Sequence, residues 1–194
     1  MPRARVFLPG WGAAPDVWAP FGSVGEIEPG VEVVGWSLGA LRALEAATEM
    51  ELAGLVLVAA TPQFVRRDSW RYGWPPRVLE QMRTRLAAAP DELLDEFELR
   101  LFAPDEQPVA VPREQDTAVL DEGLRYLERF SVLDRLSEVR CPVRLLHGGR
   151  DPVVPLAAAE HLATALPHAD LTVWEEAGHA PQLTQPGRFR TWLD

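Results

Sequence analysis

Residues 31–60 change hydrophobic period twice. Residues 31–34 are a short, mostly β-branched apolar run. Residues 38–50 then place Leu38, Leu41 and Leu44 on one helical face. Residues 52–60 are apolar without alternation, as in a parallel strand covered on both sides. The spacing therefore predicts strand, helix, strand. The same alternation returns near the C-terminus, with strands expected over 143–147 and 171–174 and helices over 156–166 and 187–193. A first strand is expected over 4–8, ending in Pro9-Gly10-Trp11-Gly12, and a short helix over 16–21. Strands that alternate with helices build an α/β fold around a parallel sheet.

The middle of the chain has another texture. From Thr61 to about Val139 it is charged and helical in period, with apolar positions at Val78, Leu79, Met82 and Leu86, then Leu93, Leu94, Phe97 and Leu101, then Leu120, Leu124 and Leu127. This block interrupts the strand–helix alternation after the third strand. It reads as a helical cap over 62–139, inserted into a core made of residues 1–61 and 140–194.

With 194 residues, 47% of them apolar and 25% charged, the chain has the makeup of one soluble globular unit. A net charge of −10 argues against nucleic acid or an anionic membrane as the main partner. No apolar run has membrane-spanning length, and Met1-Pro2-Arg3 leads straight into the first strand, so no secreted form is expected. Cys141 is the only cysteine, which excludes an internal disulfide and suits a reducing cytoplasm. It reads as a small buried residue. The four histidines lack metal-ligand spacing, so neither metal nor cofactor is expected.

The chemistry is concentrated at three strand ends. Gly35-Trp36-Ser37-Leu38-Gly39 lies between a strand and a helix. A G-x-S-x-G string in that setting is a nucleophile elbow, a strained turn that lifts one serine clear of the sheet. A serine hydroxyl needs a base to take its proton and a carboxylate to orient that base. Asp151, in His147-Gly148-Gly149-Arg150-Asp151-Pro152, and His179, in Ala177-Gly178-His179-Ala180-Pro181, each follow a strand and come in the order Ser, Asp, His. Groups at the carboxyl ends of parallel strands converge, so Ser37, Asp151 and His179 form the expected catalytic triad. The backbone N–H groups of Leu38 and Trp11 are the expected oxyanion donors. His147 reads as structural, and His161 and His168 as surface positions.

Leu8-Pro9-Gly10-Trp11-Gly12, the elbow, Phe64 with Arg67-Asp68 and Trp70, and Ala177-Gly178-His179-Ala180-Pro181 together resemble the α/β-hydrolase carboxylesterases of biotin synthesis, which cleave the methyl ester of pimeloyl-acyl-carrier protein. The likeness runs over most of the chain. It implies the same triad and oxyanion donors, and cap arginines that hold an acidic carrier; Arg100 and Arg113 are the candidates here. Trp11, Trp36, Phe64, Trp70 and Phe102 are candidates for an apolar acyl pocket. The chain departs from the family in two places. Pro9 stands where the family usually has histidine. The stretch from Gly12 to Val31 is too short for the family's usual helix–strand–helix, which implies a truncated sheet of about five strands with Val6–Leu8 at its edge. An exposed edge invites pairing, so dimerisation there is an expectation. Two other readings stay open: a generalist hydrolase of small esters, lactones or C–C bonds, and a binding protein that keeps the fold without catalysis.

Overall fold

A computed structural model describes residues 4–194, so the reading placed on Met1, Pro2 and Arg3 lies outside the described residues. Five strands, β1 (Arg5–Leu8), β2 (Glu32–Trp36), β3 (Gly54–Val58), β4 (Val143–Gly148) and β5 (Ala169–Trp174), form one sheet in chain order. Every neighbouring pair is parallel. The register sets Leu8 beside Gly35, Trp36 beside Val58, Val58 beside Leu146 and Gly148 beside Trp174. The loops leaving all five strands therefore open on one rim. The five-stranded parallel sheet with β1 at its edge is the expected one.

Successive side chains of a strand point to opposite faces, and the two cores divide accordingly. Val33, Leu55, Leu57 and Leu145 pack with Leu41 and Leu44 of α1 (Leu38–Glu49). Val34, Trp36, Val56, Val58 and Leu146 pack with Phe189 and Leu193 of a C-terminal helix (Pro186–Leu193). Burial on both faces explains why residues 52–60 carry no polar alternation.

The link from β1 to β2 departs from the sequence reading. The helix expected over 16–21 is a single 3₁₀ turn, Pro15–Trp18. Proline favours the first helical position, while Pro20 and Gly22 soon afterwards prevent propagation. Large rings pack beside this turn. Trp18 packs on Phe7 at 5.3 Å and on Phe189 at 6.1 Å between ring centroids, and Phe21 meets Phe189 edge-on at 4.9 Å. The chain then returns along the outer side of β1, where Phe7 N–H donates to the Ser23 carbonyl at 3.3 Å and Phe7 pairs with Val24. Part of the edge that invites pairing is thus covered from within.

Between β3 and β4 lie α2 (Pro76–Ala88), α3 (Pro90–Leu99), α4 (Thr117–Arg129) and a 3₁₀ segment, Leu133–Glu138. After β4 come α5 (Leu156–Ala165), the short α6 (Pro181–Thr184) and α7, the C-terminal helix. α2, α3, α6 and α7 all open on proline, whose missing N–H has no partner to lose there. The abundance of proline thus has a local structural use. Tyr126 of α4 donates to Glu45 Oε2 of α1 at 2.8 Å, which ties the inserted helices to the sheet layer. Among the described residues no helix is long and apolar enough to cross a membrane.

Candidate active site

β2 ends at Trp36, and the chain turns into α1 through Ser37 at φ 54°, ψ −112°. Positive φ is strained for any residue with a side chain and persists only where its surroundings enforce it. Here Ser37 N–H donates to the Val58 carbonyl at 2.9 Å, and Leu41 N–H to the Ser37 carbonyl at 3.1 Å. The flanking glycines are steric requirements. A Cβ on Gly35 would stand 2.5 Å from the Gly39 carbonyl oxygen, and one on Gly39 would stand 2.3 Å from the Leu8 carbonyl oxygen. The turn leaves Ser37 half-buried at the rim.

Asp151 follows β4, with its side chain fully buried. Its Oδ1 accepts the backbone N–H groups of Val153 at 2.8 Å and Val154 at 2.9 Å. Its Oδ2 lies 2.7 Å from His179 Nδ1. His179, on the loop after β5, is buried, and its Nε2 lies 2.8 Å from Ser37 Oγ. An ionised carboxylate only accepts, so Nδ1 carries the proton and Nε2 turns a lone pair toward the Ser37 hydroxyl. The main chain of His179 is held as firmly as its ring. Its N–H donates to the Leu101 carbonyl at 2.7 Å, and its carbonyl accepts the Trp36 indole N–H at 2.9 Å.

The backbone N–H groups of Trp11 and Leu38 find no acceptor among the described residues. The Trp11 indole is anchored on both sides: its Nε1–H donates to the Leu120 carbonyl of α4 at 2.9 Å, and its ring meets Phe97 edge-on at 4.8 Å.

His147, read from sequence as structural, lies closer to the chemistry than its sequence context shows. Its Nε2 is 2.9 Å from the Val154 carbonyl and 3.5 Å from Asp151 Oδ2, and its Nδ1 has no partner among the described residues. Burial pushes its pKa below the usual imidazole value, against an opposing pull from Asp151.

The aromatics expected in an acyl pocket lie in several different surroundings. A cleft of about 130 Å³ lies between α2 and α3, lined among others by Trp74, Val78, Met82, Leu93 and Phe97, with Arg100 at its rim. Trp36 and Phe102 belong to the core on the α7 face. Trp70 is buried beside His161 and Tyr72, with ring centroids 5.2 and 5.0 Å away. Phe64 is not part of that lining and packs on Trp74 at 5.3 Å. Trp74 and Phe97 line this cleft and are not among the aromatics expected from the sequence. Phe97 had a signal, since it shares a helical face with Leu93.

The two arginines expected to meet a carrier differ in availability. Arg113 is held by Glu98 at 2.6 Å and Asp95 at 2.7 Å. Arg100 is exposed, with its guanidinium 6.0 Å from the centre of the Trp74 ring. A larger open depression, about 670 Å³, lies at the other end of the sheet, where Leu52 and Pro142 lead into β3 and β4. It includes Cys141, whose thiol pKa burial raises.

Residues 8–192 match the alpha/beta hydrolase family, and the chain belongs to it. It is 31% identical over 210 residues to the pimeloyl-[acyl-carrier protein] methyl ester esterase of Nitrosomonas europaea, covering 98% of this chain and 82% of that one. It is 33% identical over 202 residues to the enzyme of the same name from Aromatoleum aromaticum, covering 92% of this chain and 80% of that one. The fold is similar to that of an esterase from Exiguobacterium antarcticum, with TM-score 0.84 and 19% identity, covering 100% of this chain and 91% of that one.

Proposed function

We propose that this chain is a serine carboxylesterase that hydrolyses a short acyl ester through an acyl-enzyme. The coarser part, an esterase of the alpha/beta hydrolase fold, rests on the family match and the relatives' names. The finer part is carried by one observation. An unbroken hydrogen-bond chain runs from buried Asp151 through His179 to a strained, half-buried Ser37. A protein that only binds has no use for a serine held in that conformation.

In this reading Ser37 Oγ attacks the ester carbonyl carbon while His179 Nε2 takes the hydroxyl proton. The imidazolium so formed is stabilised by Asp151, which keeps its own charge. Negative charge builds on the former carbonyl oxygen, where the N–H groups of Leu38 and Trp11 can receive it without reorganisation. The C–O bond to the alcohol then breaks, and His179 returns its proton to the leaving oxygen. Water repeats the sequence on the acyl-enzyme, releasing the acid and free Ser37. Residues 62–139 act as the cap, and the cleft between α2 and α3 is read as the acyl channel because its Phe97 meets Trp11 edge-on at 4.8 Å.

The relatives' names suggest methyl pimeloyl-carrier as the ester. A second reading, a small free ester, is favoured by the charge of the cap. Residues 62–139 hold sixteen carboxylates against eleven arginines, and Arg83, Arg85 and Arg113 are already ion-paired. An acidic carrier meeting an acidic cap is repelled unless free arginines offset the field. Hydrolysis of methyl pimeloyl-carrier compared with a nitrophenyl ester, with Ser37→Ala as control, tests both. Carrier-ester turnover at least matching the simple ester supports the carrier reading. Turnover of the simple ester alone supports the second. Activity surviving in Ser37→Ala rules out the mechanism.

A further inference from the structure

We propose that the loop leaving α3, residues 101–106, is a positioning clip for the two partners of Ser37, holding the loops that carry Asp151 and His179. The proposal rests on reading these three residues as the catalytic relay. The Leu101 carbonyl accepts the N–H of His179 itself at 2.7 Å. Glu106 Oε2 accepts Gly178 N–H, one residue before His179, and Ala103 N–H of its own loop, both at 3.0 Å. The neighbouring carboxylate, Asp105, pairs with Arg150, one residue before Asp151. The two held loops are also tied to each other, since Arg150 N–H donates to the Ala177 carbonyl at 3.0 Å.

The arrangement is economical in its chemistry. A carboxylate that gathers two backbone N–H groups makes charge-assisted bonds, stronger than those between neutral groups. Here it joins the cap loop to the backbone next to the base. Neither Glu106 nor Asp105 touches the reacting atoms, so both act through the placement of other residues. That placement matters, because misplacing a catalytic group by about 1 Å costs up to about 10²-fold in rate. The clip is continuous with α3, which also supplies Leu93 and Phe97 to the cleft. The element that shapes the acyl channel therefore also sets the base.

The test is Glu106→Gln, in which an amide NH₂ replaces one oxygen, measured on the full chain with a nitrophenyl ester. We expect kcat to fall about tenfold with KM within about twofold. The far-downfield proton resonance of the His179 Nδ1–H···Asp151 bond should broaden or shift, a change that loss of general stability does not produce in a folded sample. Asp105→Asn and Arg150→Gln break a pair at the surface and keep the test open if Glu106→Gln does not fold. For these, kcat should fall about threefold with the same change in the resonance. Unchanged kcat and resonance in the variants, with wild type active, overturn the clip and leave the esterase reading intact. A fall in kcat that only follows a lowered melting temperature, with the resonance unmoved, also overturns it. A wild type that neither hydrolyses the ester nor reacts with a fluorophosphonate at Ser37 overturns both readings.

Discussion

The indole N–H of Trp36 donates to the main-chain carbonyl of His179 at 2.9 Å, so the residue before the serine grips the backbone of the histidine. The bond is buried and joins the end of β2 to the loop after β5. Trp36→Phe keeps most of the ring volume but strands that carbonyl without a donor. An unsatisfied buried carbonyl costs about 1–3 kcal/mol. Part of that is relieved by movement of the His179 loop, away from Ser37. We expect kcat to fall about tenfold, with a melting temperature lowered by a few degrees. Steady-state kinetics on a nitrophenyl ester, beside a thermal melt, check this. An unchanged kcat would show that the His loop needs no support from Trp36.

A second relationship concerns Trp11 and Leu38, the proposed oxyanion donors. Gly123 of α4 sits against both Trp11 and Leu38: a Cβ there would lie 2.9 Å from Trp11 Cδ1 and 3.2 Å from Leu38 Cδ2. The Trp11 ring has little freedom to yield, being bonded to Leu120 and packed on Phe97. Gly123→Ala therefore sets two effects against each other. Alanine favours the helix by about 1 kcal/mol, while the contact displaces the Trp11 loop. Stability should stay nearly level and kcat should drop, by about tenfold or more. A parallel loss of stability and activity would place the effect in packing alone.

His147 gives stability a pH dependence. Its pKa is depressed in the folded chain, chiefly by burial. An unfolded histidine titrates near 6.5. As pH falls through that value the unfolded chain takes up a proton that the folded site refuses. Stability from this group is present above about pH 6.5 and declines below it, by up to about 1.4 kcal/mol per pH unit. His147→Gln removes the term. Urea midpoints measured from pH 7.5 to 5.5 should fall less steeply in the variant than in wild type. Parallel curves would mean that His147 is protonated as readily folded as unfolded.

The sequence was most legible where local pattern and chemistry coincide. Ser37, Asp151 and His179 each follow a strand that its own apolar run announces, and glycine or proline marks each turn. A parallel sheet then carries three such loops to one rim. The residues around them were hidden for a physical reason. Trp36 is a pocket candidate by type and position, yet its ring lies in the core on the α7 face and its indole N–H is used on the His179 carbonyl, a contact between distant segments. Phe97 meets Trp11 and Glu106 meets Gly178 by helix packing and loop closure, which no local period records. His147 is near Asp151 only because the turn after β4 folds back on itself.

The link from β1 to β2 yields a prediction about stability alone. Trp18 is fully buried and packs on Phe7 and Phe189. Removing so large a ring from a core typically costs about 3–5 kcal/mol. Trp18→Ala should lower the unfolding free energy by that order in urea titrations. The kcat of protein that remains folded should stay within about twofold of wild type, since the aromatic stack and the relay belong to different contacts. A large change in kcat at a temperature where the variant is folded would link the stack to the site.

Arg100 and Arg113 separate the carrier reading from the simple-ester reading. Arg113 already holds Glu98 and Asp95, and a new acidic partner would have to displace them. Arg100 stands exposed at the mouth of the cleft, close to Trp74. Reversing a free charge at a binding rim acts on encounter and affinity, and its effect weakens with salt. For methyl pimeloyl-carrier, Arg100→Glu should raise KM about tenfold at low ionic strength and less in about 0.5 M salt, with kcat nearly constant. Arg113→Gln should move KM less than about twofold. Neither change should alter KM for a nitrophenyl ester, which carries no acidic partner. Equal effects on both substrates would assign Arg100 to the acyl channel. No effect on either would leave the acidic cap without a docking point there for an acidic carrier, and the free ester would become the stronger reading.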